Sequence, residues 1–137
     1  MKKIILLLVV ATTFLACSLN ENDNVNYDYK VLPIASYTLP ASFKFGEAKE
    51  IKLKYQKPSD CYFYQGIYYD KELNTRTIAI QVAVKKDHAC IAILPAESEV
   101  SFNFLPTSLG TYIFKFYKGE DSAGKDIFEE VEIYVVK

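Results

Sequence analysis

Tryptophan is missing from this chain, and histidine and arginine occur once each, as His88 and Arg76. A lone histidine with no CxxC pair beside it offers no zinc ligand set. A Ser-His-Asp arrangement would have to use His88, which falls in an expected turn at residues 85–88. No Gly-x-Ser-x-Gly elbow accompanies it. A phosphate-cradling glycine loop and a paired-carboxylate signature are absent as well. The sequence therefore argues against an enzyme and implies no cofactor and no metal. One arginine and a formal net charge of −1 leave no electrostatic footprint for nucleic acid. No run is apolar for the roughly 20 residues that a membrane-spanning helix needs. No amphipathic helix pattern and no internal repeat is present.

The longest apolar run, residues 4–16, is informative because it is short. Lys2 and Lys3 precede it, and small Ala16 stands just before Cys17. The chain turns polar from Ser18. That layout reads as a cleaved export signal at residues 1–17 rather than a buried or spanning helix. Phe14-Leu15-Ala16-Cys17 is similar to a lipobox, and the whole segment resembles a bacterial lipoprotein signal. The resemblance implies lipidation of Cys17, with several acyl chains giving stable membrane attachment. An ordinary secretory signal with an incidental cysteine is the alternative. Ser18 after the cysteine implies the outer membrane in the Gram-negative lipoproteins that the segment resembles, on its periplasmic or cell-surface face. Residues 18–27 are polar and acidic and read as a flexible tether.

Residues 28–137 then form one domain, large enough to bury its own core. Loss of Lys2 and Lys3 with the signal moves the net charge to about −3. Of three cysteines, a lipidated Cys17 leaves Cys61 and Cys90. In an exported domain these two are expected to form a disulfide, with two separate buried thiols as the alternative.

Tyrosine and phenylalanine number 11 and 9, an aromatic richness that favours strands. Period-two alternation runs through most of the domain. Strands are expected around residues 30–36, 51–55, 61–69, 77–84, 89–94, 100–104, 112–117 and 127–135. The stretch 89–94, rich in small residues, suggests burial on both faces. About eight short antiparallel strands predict an all-β sandwich, with a closed barrel as the second choice. Leu105-Pro106-Thr107-Ser108-Leu109-Gly110-Thr111-Tyr112 resembles the E–F corner of immunoglobulin-like and fibronectin type III domains. The resemblance implies an immunoglobulin-like β-sandwich in which the Tyr112 hydroxyl bonds back to the preceding loop. Phe114 replaces the antibody cysteine, so the domain is not of antibody type.

Candidate sites are few. Glu120, Asp121 and Asp126 could offer calcium oxygens, but a polar hairpin tip is the simpler reading. Glu129, Glu130 and Glu132 read as a solvated strand face. The candidate binding surface is aromatic. If Phe63, Ile67, Phe114 and Phe116 point to the core, Tyr62, Tyr64 and Tyr68 point outward. Tyr117 and Tyr134 then join them on one sheet face, beside Ile113 and Phe128. Such an exposed patch marks a contact surface for a protein or a glycan. Cover by the segment around Tyr27 to Tyr37 is the competing reading. The expected function is a non-catalytic binding or accessory module, membrane-attached through its lipid anchor. A structural cell-envelope component without a ligand is the alternative.

Overall fold

Alternating apolar and polar residues build nine strands in the computed structural model, which describes residues 26–86, 88–93 and 97–137. Cys17, the expected signal at 1–17 and the expected tether as far as residue 25 lie outside the described residues. The strands are β1 (Tyr27–Leu32), β2 (Ser36–Thr38), β3 (Ser42–Lys44), β4 (Lys49–Gln56), β5 (Tyr62–Glu72), β6 (Thr75–Lys85), β7 (Glu97–Phe104), β8 (Gly110–Glu120) and β9 (Asp126–Val136). They form a six-stranded and a three-stranded sheet packed face to face, an all-β sandwich rather than a closed barrel.

In the small sheet β4 lies between β2 and β7. In the large sheet β5 pairs only with β6, and β8, β9 and β3 follow. The long strand β6 has two partners end to end on its other flank. β1 pairs with it from Leu32↔Ile80 to Tyr27↔Lys85, and β8 from Thr75↔Ile113 to Ile78↔Phe116. Pro33 ends β1 because it cannot donate to a ladder. The chain then steps into the small sheet, with Ile34 N donating to Tyr117 O and Ala35 N to Lys54 O. The single strand expected over residues 30–36 is thus two strands in two sheets.

Two expectations need correction. Two pairings, β3 with β9 and β6 with β8, are parallel rather than antiparallel. The aromatic strand β5 shares the sheet of β8 and β9, with β6 between β5 and β8. Residues 89–93, the described part of the stretch 89–94, are not a doubly buried strand: Cys90, Ile91 and Ala92 are exposed, and their one ladder contact is an isolated bridge, Ser59↔Ala92. Its polar groups bond locally instead, Ile91 N to Asp60 Oδ1 and Asp60 N to Ile91 O.

The core is aliphatic and aromatic, drawn from both sheets: Ile34, Phe43, Ile51, Leu53, Ile78, Ile80, Val82, Phe104, Tyr112, Phe114 and Phe116 among them. Each such side chain contributes about 1.5–3 kcal/mol by leaving water. Phe104 packs edge-on to both Tyr112 and Phe114. Cys61 and Cys90 are joined by a disulfide, closing a sequence separation of 29 residues. A loop of that size stabilises by about 3.5 kcal/mol in the chain-entropy picture. Tyr112 sits at the β8 corner, where its hydroxyl accepts from Thr107 N at 3.2 Å and Ser108 N at 3.1 Å. Burial acts to raise its phenol pKa, but the bonds from Ser108 and Thr107 outweigh it and hold the group below its ordinary value.

Candidate functional site

The outer faces of the two sheets differ in chemistry. On the small sheet, lysines and acids alternate across the strands: Lys52 pairs with Glu99, Lys54 with Glu97, and Ser101 Oγ donates to Glu50. That is a solvated, ion-paired surface. The large sheet carries aromatic rings outside, although not the set that unbroken alternation predicts.

A β-bulge is the reason. On β5 the register shifts between Tyr64 and Gly66, leaving Gln65 unpaired. Tyr62 and Tyr64 pair with Val84 and Val82, on the side facing the core. Past the bulge Ile67 and Tyr69 take that side, opposite Ile80 and Ile78. Tyr62 packs against the core, and Tyr64 reaches across to Tyr55 on β4, ring to ring at 6.2 Å. Burial raises the Tyr64 phenol pKa, and Tyr55 adds to it. Phe63, expected inside, faces outward and meets Tyr27 edge-on. Of the expected tyrosines on this strand, only Tyr68 points outward.

Tyr117 lies on the outer face as expected, but it is only 6% exposed, covered by its neighbours. Burial pushes its phenol pKa up, and the charges of Asp126 and Glu120 add to the effect. Phe128 lies beside it at 5.7 Å. Tyr134 is well exposed but sits on β9 next to β3, away from β5. Tyr62, Tyr64, Tyr68, Tyr117 and Tyr134 therefore do not form one surface.

A different outer surface takes their place. The outward residues of β6 are Thr77, Ala79, Gln81 and Ala83, mostly small, so the strand forms the floor of a trough. β5 raises Phe63, Gln65 and Tyr68 along one side. β1 raises Tyr27, Tyr29 and Val31 along the other. Tyr29, Lys30, Val31, Gln65, Gln81, Val82, Tyr117 and Glu120 line a concavity of about 740 Å³ there, Lys30 and Val82 from strand positions whose side chains alternate to the core side. Tyr29 is 74% exposed, the most open tyrosine of the group. The surface thus joins flat rings, two neutral amides and one carboxylate. Each amide offers both a donor and an acceptor.

The strand expected from residue 30 begins three residues earlier, at Tyr27, and so brings Tyr27 and Tyr29 into the sheet. β1 does not cover the aromatic face; it supplies half of it. The signal available was Tyr27-Asp28-Tyr29-Lys30-Val31, which alternates like the other strands.

The other candidates resolve simply. His88 is exposed. Asp121 Oδ1 accepts from Ala123 N and Lys125 N, so it closes the β8–β9 turn. Gly124 at φ +76° supplies the left-handed residue of that turn. Glu129 accepts from the Tyr37 hydroxyl at 2.6 Å and pairs with Lys118 at 3.3 Å. Asp60, Cys61 and Cys90 are the one cluster of metal donors among the described residues, and the disulfide consumes both sulfurs. No protein family, curated protein or solved structure matches the chain.

Proposed function

We propose that the chain is an extracytoplasmic lipoprotein whose sandwich is a non-catalytic binding module, holding a neutral glycan in the trough of β1, β6 and β5. The observation that carries this reading is the concavity lined by Tyr29, Gln65, Gln81 and Tyr117. Rings offer an apolar platform with a polar tip, and amides bond hydroxyls without asking for charge. Pockets of this kind mix apolar walls with a few placed polar groups. The disulfide supports an oxidising compartment, in keeping with export past a signal at residues 1–17. The anchor at Cys17 rests on the resemblance of its segment to a lipobox, and labelled palmitate entering the protein but not its Cys17→Ala variant tests it. The Tyr112 corner supports kinship with immunoglobulin-like sandwiches, with β6 taking the place beside β8.

The binding test applies the full chain to immobilised neutral polysaccharides from bacterial and host surfaces. Tyr29→Ala and Gln81→Ala are expected to weaken retention by about tenfold or more, the weight of one interface hot spot. Tyr134→Ala is expected to leave it unchanged. Capture of a protein through the same residues would replace glycan with protein as the ligand. Retention of neither would leave a structural envelope component.

A further inference from the structure

Arg76, the chain's one arginine, is 3% exposed and carries its charge into the sandwich. Its register partners Lys71 and Phe114 place it on the core face of β6. Nη1 donates to Leu73 O and Thr75 O, each at 2.8 Å. The guanidinium carbon lies 4.9 Å from the Tyr112 ring centre and 5.8 Å from that of Phe104. Carbonyls and rings attract a cation, but none of them neutralises it. Nε is buried and finds no acceptor among the described residues. None of the ion pairs among those residues includes Arg76. A buried charge is ordinarily paired, and this one has no counter-charge among the described residues.

A cavity of about 370 Å³ opens beside it, between the edges of β5 and β7 that pair with no strand among the described residues. Ile67, Tyr69, Phe102 and Phe104 wall it, and Lys71 adds a second cation at its rim. Tyr69 and Phe102 meet edge-on at 5.6 Å. Nearby acids point elsewhere. Asp70 and Glu72 alternate to the outer face of β5, and Glu97 and Glu99 pair with lysines.

We propose that this cavity binds a carboxylate carried on a small apolar or aromatic body. Arg76 takes the carboxylate, because its planar fork of donors matches two carboxylate oxygens. Tyr69, Phe102 and Phe104 take the body. The volume suits a small molecule or a chain end rather than a long polymer. A free aromatic acid and the C-terminus of a peptide share this chemistry. The site is separate from the outer trough, since Tyr69 and Tyr68 lie on opposite faces of β5.

Calorimetric titration of the full chain tests the site with four probes. These are phenylacetate, phenylacetamide, and the tripeptide Ala-Ala-Phe with a free or an amidated C-terminus. At least one carboxylate is expected to bind, and its amide at least about tenfold more weakly. Binding of the free acid alone or of the tripeptide alone supports the site and identifies the source. Arg76→Gln is expected to abolish binding. Should that variant not fold, Lys71→Glu at the exposed rim decides, with an expected loss of about threefold or more. Tyr29→Ala, which empties the outer trough, is expected to leave this titration unchanged. No heat from either carboxylate up to about 10 mM would overturn the proposal, since weaker binding than that is not a site. Equal binding of acid and amide, or unchanged affinity in Lys71→Glu, would overturn it too.

Discussion

Tyr37 shows how one side chain joins the two sheets. Its ring stacks on Phe116 at 3.9 Å, and its hydroxyl donates to Glu129, which Lys118 also holds. Lys118 in turn donates to Ile34 O and Ala35 O, where the chain changes sheet. Burial, then Glu129, pushes the Tyr37 pKa up to about 12 from 10.0. The bond from Tyr37, then Lys118, holds the Glu129 carboxyl below its ordinary value. The signs follow from linkage. Tyr37 contributes stability fully below pH 10 and loses it as pH rises through about 12. Glu129 contributes above the ordinary carboxylate range and loses it as pH falls through its lowered pKa. Tyr37→Phe keeps the stack and removes the hydroxyl. Melting temperature against pH is therefore expected to fall less steeply in the variant than in the wild type on the alkaline side. Parallel curves would show that the bond stabilises nothing. Residue-scale features were unevenly legible. Tyr112 could be read from a local pattern, Leu105 to Thr111, because a corner is built by neighbours in sequence. Arg76 could not, because its interior position depends on which strands close over it.

At the scale of elements, the Gln65 bulge decides which rings face in. Strict period-two alternation puts Tyr62, Tyr64 and Tyr68 on one side, and that holds only if the ladder is unbroken. Gly66 was the available signal, since an isolated glycine inside a strand often marks a bulge. Deleting Gln65 makes the pairing continuous and forces either Tyr62 and Tyr64 or Ile67 and Tyr69 off the core face. The expected loss is about 2–4 kcal/mol, similar to emptying a large core side chain. Gln65→Ala keeps the extra residue and is expected to stay within about 0.5 kcal/mol. Urea denaturation of both variants checks this, and equal losses would sink the bulge as the cause. β8 and β9 were readable along most of their length because their alternation is regular. Residues 89–93 depart from the expected strand because small apolar residues suit a bonded loop as well as a buried strand.

For the whole molecule, composition indicated the class and not the strand order. An aromatic-rich chain with period-two alternation and the pair Cys61 and Cys90 reads as a disulfide-closed sandwich, and the sandwich and the Cys61–Cys90 bond are both present. Parallel pairing of β6 with β8 was not legible, because alternation says which face is buried and nothing about which strand is next. That order is what makes the trough. It sets small-residue β6 between aromatic β5 and β1, and leaves the charged ladder on the other side of the domain. Hydroxyl-radical footprinting of the tyrosines, with and without the polysaccharide that the protein retains, tests this most directly. Protection of Tyr29 and Tyr68 with Tyr134 unprotected is the predicted result. Unchanged labelling of Tyr29 would contradict a ligand in the trough.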